Sequence, residues 1–122
     1  MSAYRSAASL ICMRADLRVA QSTANVRSRA QFLRAWPKLI AVIGDEIAAL
    51  KDLRPPLEVR QEHLRAVAAR RGELQQGRRA LALIRTGSSP SSAAAAIKPS
   101  VTRLKARERA AWREAGVGSC AR

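Results

Sequence analysis

The chain has 122 residues, the size of one domain, and its 23 Lys and Arg against 9 Asp and Glu give a formal charge of +14. Hydrophobic residues make up 48% but aromatic residues only 3%, and alanine supplies 25 residues, so the core must be thin and helical. This composition argues against an all-β sandwich, a disulfide-stapled secreted fold and a transmembrane protein.

Residues that could carry catalysis are few. His63 is the one histidine, and the nine carboxylates are scattered along the chain rather than paired. Cys12 and Cys120 lie near opposite ends without metal-ligand spacing, so we interpret them as inert free thiols that fit a reducing compartment. The sequence therefore predicts a non-enzymatic protein with no catalytic residue, no metal site and no cofactor of its own.

The positive charge is unevenly distributed. The net charge is +5 for residues 1–36, zero for 37–54, +4 for 55–85 and +5 for 86–122. The neutral segment is also the most apolar, so it is the best candidate for burial. Arg outnumbers Lys 19 to 4, which suits bidentate binding of carboxylates and phosphates, although GC-rich coding enriches Arg equally well.

Residues 1–36 have the composition of a targeting segment. They are rich in Arg and Ser, and Asp16 is their only acidic residue. A basic, amphipathic segment poor in acidic residues is typical of a mitochondrial transit peptide. We therefore expect a mitochondrial location, in the matrix or on the matrix face of the inner membrane.

Helical spacing of apolar residues predicts the first elements. A helix over about 3–20 has an expected apolar face of Tyr4, Ala7, Leu10, Ile11 and Leu17. A second helix covers about 24–36. Pro37 should break the chain there and begin a third helix over 38–53, whose apolar stripe is Leu39, Ile43, Ile47 and Leu50.

The longest predicted helix runs from 57 to 85, after Pro55 and Pro56 end the preceding one. Its narrow apolar seam consists of Leu64, Val67, Leu74, Leu81 and Ile84. This leaves several arginines to face solvent or a partner, namely Arg60, Arg65, Arg70, Arg78, Arg79 and Arg85.

The C-terminal third differs in composition from the rest. Residues 86–100 have the low complexity of a linker, and 101–115 form a last short basic helix before a Gly-rich tail. The predicted fold class is all-α: a small antiparallel bundle of three to four helices over 1–85, with 101–122 as an extended basic arm outside the core. No stretch approaches the roughly 20 apolar residues of a membrane span, so no transmembrane segment is expected.

The first two predicted helices carry a family resemblance. Ala3, Tyr4 and Arg5 open the first helix, and Phe32 follows 28 residues after Tyr4, preceded by Arg27 and Arg29. This arrangement resembles the LYR proteins of mitochondria, in which a first helix carries Leu-Tyr-Arg and a second carries Arg-x-x-Phe. A later segment, Pro56-Leu57-Glu58-Val59 and the helix after it, is similar to the third helix of the family, so the resemblance covers 3–36 and 56–85. Ala3 departs from the motif's Leu.

The resemblance implies a specific partner. LYR proteins are three-helix bundles that bind mitochondrial acyl carrier protein, whose acyl chain on phosphopantetheine enters the bundle, and some are accessory subunits of respiratory complex I or assist iron–sulfur assembly. The implied partner-binding residues are Tyr4, Arg5, Arg27, Arg29 and Phe32. Arg29 would pair with the carrier's acids or phosphate, and Phe32 would line the acyl channel. A basic face attracts an acidic partner whatever the family.

A mitochondrial ribosomal protein is the competing hypothesis. Small basic helical chains bind rRNA by neutralising phosphates and need no catalytic residue. The arm would then lie along RNA and contact it through Arg103, Lys105, Arg107, Arg109, Trp112 and Arg113. Trp112 would stack on a base. An unrelated subunit of a respiratory or ATP-synthase assembly would look much the same, so we predict an accessory subunit of a large mitochondrial complex, with rRNA binding as the alternative.

Overall fold

The computed structural model describes residues 1–121, which contain helices and no strand, as expected for an all-α protein. The four long helices are α1 (Ser2–Thr23), α2 (Arg29–Asp52), α3 (Arg60–Arg85) and α4 (Pro90–Glu114). Single turns of 3-10 helix follow α2 at Leu57–Val59 and α4 at Gly118–Cys120. Within this part of the chain, no helix is both long and apolar enough to cross a membrane.

Consecutive helices pack in antiparallel fashion. The indole Nε1 of Trp36 in α2 donates to the carbonyl of Gly77 in α3, at 2.8 Å. Near the other end of this pair, His63 Nε2 lies 2.9 Å from the carbonyl of Leu50. α4 packs mainly on α3, whereas α1 packs on α2 and on the C-terminal turn.

The core consists mainly of small side chains, with a few large ones. The main cluster joins all four helices and the C-terminal turn around Leu50 and Trp112, both fully buried. Ala8 and Ala66 are fully buried as well, and a side chain this small lets neighbouring helices approach closely. A second cluster at the other end of α3 is formed by Ala80, Ile84 and Ala93, with Phe32, Leu33, Leu83 and Ile97 against it.

α1 buries a different face from the one predicted. Its buried residues are Tyr4, Ala8, Cys12 and Ala15. Leu10 and Leu17, which the spacing placed in the core, are exposed. Small residues at helical spacing, rather than the leucines, therefore make the contact with the rest of the bundle.

Pro37 does not break the helix, contrary to the prediction. It lies in the third turn of α2, which runs unbroken from Arg29 to Asp52. A proline inside a helix removes one backbone hydrogen bond and costs about 3 kcal/mol. Apolar residues on both sides of Pro37 pack against the bundle, and such tertiary packing supplies most helix stability in proteins.

The predicted linker and extended arm are instead one helix of the bundle. Ser89 caps α4, since its side chain accepts from the backbone N–H of Ser92 at 3.1 Å, and Pro90 occupies the first helical position, where no N–H is needed. The alanines of 93–96 then continue the helix through Pro99. Trp112 near its end is 0% exposed, so the C-terminal third is part of the core.

The two cysteines are bonded to each other, not free as predicted. The disulfide Cys12–Cys120 joins α1 to the C-terminal turn across 108 residues of sequence, and both residues are buried. Their distance along the chain gave no indication that α1 and the C-terminal turn pack together. The cysteines therefore give no support to a reducing compartment.

Candidate functional site

The outward face of α3 is basic along its whole length. Six arginines of α3 are exposed; Arg65 pairs with Glu62 and Glu114, and the other five form no ion pair among the described residues, namely Arg60, Arg71, Arg78, Arg79 and Arg85. From the first to the last they extend over about 38 Å at the rise of an α-helix. The two carboxylates of α3, Glu62 and Glu73, are only partly exposed; Glu62 pairs with Arg65 and Glu73 interacts with Glu108 of α4. The outward face therefore has no acidic residue to neutralise it.

A groove of about 450 Å³ lies beside this face, at the junction of α2 and α3. Its exposed cations are Lys51, Arg54, Arg60 and Arg71. Its apolar residues are Leu53, Pro55, Leu64, Val67 and Ala68, and His63 completes the lining. No carboxylate of the described part of the chain lines the groove.

The neighbourhood of the groove combines positive charge with exposed apolar surface. Leu64 is 53% exposed, and Leu57 on the adjoining turn is 75% exposed. The prediction that Leu64 belongs to the buried seam of α3 was wrong, because that residue faces outward. Among the described residues, none of the four groove cations forms an ion pair. The groove, defined by the residues above, therefore suits an anionic group attached to an apolar body.

A second feature, the interior cleft, lies between all four helices and has a volume of about 440 Å³. Its apolar wall is formed mainly by Val19, Trp36, Leu39, Ile40, Ile43, Leu74, Ile97 and Val101. Its polar wall is formed by Asp16, Glu46, Arg70, Glu73 and Lys105. In character it resembles a small-molecule site, which is mostly apolar with a few convergent polar groups.

Arg70 is the centre of the polar wall. Its Nε lies 2.7 Å from Glu46 Oε1 and 3.3 Å from Glu108 Oε2. Glu108 Oε2 also accepts from the indole Nε1 of Trp112 at 2.9 Å. Glu46 and Glu108 are 5% and 3% exposed, so carboxylates that are scattered in sequence meet in the interior. Arg70, predicted to face solvent, is turned into the bundle.

The carboxyl groups of this wall lie where ionisation is unfavourable. Burial raises the pKa of Glu46 to about 7, even though Arg70 lowers it. Burial and the nearby Glu108 carboxylate raise the pKa of Glu73 well above its usual range. Among the described residues, four buried side-chain atoms have no hydrogen-bond partner: the acceptors Glu46 Oε2, Glu73 Oε2 and Gln76 Oε1, and the donor Arg70 Nε, whose contacts with Glu46 and Glu108 are ion pairs. Among residues 1–121, no group of three or more His, Cys, Asp or Glu side chains is arranged to hold a metal ion.

His63 is held by two hydrogen bonds inside the core. A carbonyl can only accept, so Nε2–H donates to Leu50 O and Nδ1 accepts the hydroxyl of Tyr4, 2.7 Å away. Burial lowers the pKa of His63 and raises that of Tyr4 to about 12. Both groups are therefore neutral at physiological pH, and both ring nitrogens of His63 are occupied.

The residues implied by the LYR resemblance do not form one site. Tyr4 is buried against His63 near the start of α3, while Arg29 Nη2 donates to the carbonyl of Ile84 near its end, at 2.7 Å. His63 and Ile84 are about 30 Å apart along the helix. Phe32 stacks on Trp36 with ring centroids 4.7 Å apart, in the same distal region as Arg29.

The remaining two residues of that set are exposed but separate. Arg5 lies over Gly116, where a Cβ would be 2.6 Å from its Nε. Arg27 precedes α2, and its backbone N–H donates to Gln31 Oε1. Only Arg27, Arg29 and Phe32 share a region, so the structure does not bring Tyr4 and Arg5 to them.

The residues predicted for the basic arm are split between surface and core. Five of the six are exposed on α4, namely Arg103, Lys105, Arg107, Arg109 and Arg113. Trp112 is fully enclosed and bonded to Glu108, so it has no face on which a base could stack.

Comparison with known proteins assigns no role to these surfaces. No protein-family model matches the chain, and no curated protein and no solved structure matches it either.

Proposed function

We propose that this protein is a non-enzymatic accessory subunit that docks an acidic partner protein in the groove and along the outward face of α3. The observation that carries the proposal is the set of four groove cations that form no ion pair within residues 1–121 and surround apolar surface. Like charges in this arrangement repel one another, and an acidic partner would relieve that repulsion. Complementary charge would also steer the partner to this face.

The exposed leucines define what kind of acidic partner fits. Leu57 and Leu64 offer apolar area beside the cations, and buried apolar anchors supply most of the binding energy of an interface. We therefore propose a partner element with carboxylate or phosphate groups next to an apolar side chain or alkyl group, such as an acidic amphipathic helix.

An acyl carrier protein, the partner implied by the LYR resemblance, has this chemistry. Its acidic helix would meet the arginines of α3. The phosphate of its acyl-phosphopantetheine would meet the groove cations in place of Arg29, which is engaged at the end of α3. On this proposal the protein serves in a respiratory-chain assembly, and the cofactor belongs to the partner.

A mitochondrial location remains part of the proposal and rests on the composition of residues 1–36. The buried disulfide weighs against the matrix, because such bonds persist mainly in oxidising compartments. Alkylation of thiols in intact cells, before any reductant is added, distinguishes the two. Free thiols would support the matrix, and a protected pair would contradict it.

Binding of rRNA is the second candidate function. It is supported by the four exposed arginines of α4, namely Arg103, Arg107, Arg109 and Arg113. Phosphate contacts of this kind would be strongly salt-dependent and insensitive to sequence. This surface is on a different helix from the groove, so the two candidates can be separated by mutation.

The test compares two charge-reversed double variants by titration with purified acyl carrier protein, acylated and unacylated, at low ionic strength. We expect Arg60→Glu with Arg71→Glu to weaken binding by roughly tenfold or more, because two groove contacts become repulsive. Arg103→Glu with Arg107→Glu makes the same change in net charge on α4 and should bind almost as well as the wild type.

Two results would contradict the proposal. One is equal loss of binding in both variants, which would indicate net charge rather than the groove. The other is no saturable binding of the carrier by the wild type together with tight binding of rRNA fragments that only the α4 variant loses. That result would establish the ribosomal alternative.

A further inference from the structure

Acidic residues are concentrated at the interior cleft. In a chain with a formal charge of +14, four of the nine acidic residues, Asp16, Glu46, Glu73 and Glu108, act on the single guanidinium of Arg70. Lys105 is the only other cation in the lining. Carboxyl groups therefore outnumber cations at the polar wall, and wherever they are ionised they repel an anionic head.

The polar wall also has hydrogen-bonding capacity that the protein leaves unused. Glu46 is 5% exposed and lines the cleft, and its Oε2 has no hydrogen-bond partner although Oε1 pairs with Arg70. Glu73 Oε2 also has no hydrogen-bond partner, although Glu73 is less deeply buried and its carboxyl group interacts with Glu108. A buried acceptor without a partner is costly, so a donor placed against these oxygens would bind favourably.

We infer that the interior cleft is a binding site for a small amphipathic amine, whose ammonium group meets Glu46 and Glu73 and whose apolar body lies along Trp36, Ile40 and Ile97. The charged residues that line the cleft around the head come from every helix: Asp16 from α1, Glu46 from α2, Arg70 and Glu73 from α3, and Lys105 from α4. Glu108 of α4 does not line the cleft but contacts Arg70. A primary ammonium has three donors and no acceptor, which matches the unpartnered oxygens of Glu46 and Glu73 once these carboxyl groups are ionised. The volume of about 440 Å³ is in the range of small-molecule sites.

A metal ion is a poorer occupant than an amine. The described residues hold no group of three or more ligand-type side chains arranged around an ion. The apolar wall of the cleft would also contribute nothing to a bare cation, whereas it would bury the hydrocarbon part of an amphipathic one.

The site predicts proton release on binding. At neutral pH, burial and neighbouring carboxylates keep Glu46 and Glu73 partly or wholly protonated. An ammonium group favours their ionised forms, so protons leave as the ligand enters. Affinity for the amine should therefore rise as the pH increases from 6 to 8.5, a range in which an alkylammonium stays charged.

The cleft contains its own reporter, because Trp36 is part of its wall. The experiment follows the tryptophan fluorescence of the full chain at pH 8 while octylamine, octanol or octanoate is added. The three probes share one alkyl chain and differ in the charge of the head. We expect saturable binding of octylamine roughly tenfold tighter than of octanol, and no saturation by octanoate. Trp36→Phe should remove the signal.

The variant Glu46→Gln should lower the affinity for octylamine by roughly tenfold and leave octanol binding unchanged. The matched control Glu58→Gln removes the same charge from an exposed position outside the cleft and should bind octylamine as the wild type does. If Glu46→Gln loses its helical circular dichroism, Glu73→Gln replaces it in the test. This second variant should also lower the affinity for octylamine by roughly tenfold and leave octanol binding unchanged.

The inference is overturned if octanoate binds as tightly as octylamine, if the three probes bind alike, or if Glu46→Gln and Glu58→Gln are indistinguishable. No residue lines both the cleft and the groove. A negative result here therefore leaves the docking proposal intact, and failure of the docking variants leaves this inference intact.

Discussion

Glu73 lies partly buried between α3 and α4, with Glu108 opposite it and Arg70 as the nearest favourable charge. An acid whose pKa is raised by folding binds more protons in the folded state than in the unfolded state between the two pKa values. Its contribution to stability is therefore present at low pH and is lost as the pH rises through that interval. Glu46, with a pKa raised to about 7, acts in the same direction.

His63 has the opposite effect on stability. Burial lowers its pKa in the folded state, so the folded protein binds fewer protons just below pH 6.5. Its contribution is present above the unfolded pKa and is lost as the pH falls. Ionisation of the buried carboxyl groups therefore lowers the stability of the fold at high pH, and protonation of His63 lowers it at low pH.

We predict that Glu73→Gln raises the thermal stability at pH 9 relative to the wild type and leaves it nearly unchanged at pH 5. The amide removes a charge that the wild type must hold in a poorly solvated place at high pH. The gain should be at least about 1 kcal/mol, which is about 4 °C in Tm for a chain of this size. Thermal melts from pH 5 to 9 measure it, with Glu58→Gln as the control. Parallel Tm–pH curves for Glu73→Gln and the wild type would contradict the prediction.

At the level of single residues, sequence reasoning identified surfaces better than interiors. Five of the six arginines of α3 predicted to face outward are exposed; Arg70 is turned into the bundle instead, and the exposed Arg71 was not among those predicted. The meeting of Glu46, Glu73 and Glu108 could not be expected, because these residues lie on three helices whose mutual rotation depends on the tertiary packing. The groove could not be seen for the same reason, although Lys51 and Arg54 beside Pro55 were a visible cluster.

At the scale of elements, Gly44 and Gly116 differ in whether their position requires a glycine. Gly44 lies inside α2, and a Cβ there would meet nothing within 4 Å. Gly116 follows α4 with a φ of +79°, and a Cβ there would collide with the guanidinium of Arg5. The first position needs no glycine, whereas the second has a backbone conformation that other residues rarely adopt.

We predict that Gly44→Ala stabilises the protein by about 0.5–1 kcal/mol, because alanine loses less backbone entropy than glycine in a helix. Gly116→Ala should destabilise it by about 1 kcal/mol or more, because of the positive φ. Urea unfolding of both variants measures the difference. A loss of stability in Gly44→Ala would show that the open space beside α2 is needed.

The helices themselves were partly predictable, and the errors have physical causes. Periodicity placed α1 and α3 correctly within a few residues, since no proline interrupts them. The prediction of a helix break at Pro37 was wrong because tertiary packing, which the sequence does not show, outweighs the cost of an interior proline. The segment 86–100 was assigned to a linker on its serines and prolines, although Ser89-Pro90 followed by alanines is a helix start.

At the scale of the whole molecule, the disulfide Cys12–Cys120 compensates for a thin core. A core built largely of alanine buries little apolar area for each ordered residue, and small folds of this kind are often stapled. A bridge that closes a loop of this length removes much of the freedom of the unfolded chain.

We predict that Cys12→Ala with Cys120→Ala lowers the free energy of unfolding by about 3–5 kcal/mol, chiefly through loop closure. Reductant should shift the urea midpoint of the wild type toward that of the double variant. The double variant itself is the control, since reductant should not change it. An unchanged wild-type midpoint in reductant would contradict a stabilising bond.

The same bond has a consequence for transport and turnover of the chain. Once Cys12 and Cys120 are joined, the segment between them is a closed ring, and no pull on either end can draw it out as a single thread. A pore or an unfolding motor would have to admit two strands side by side or wait for reduction. Oxidation therefore acts as a one-way step: the reduced chain can be threaded, and the oxidised chain stays where it folded.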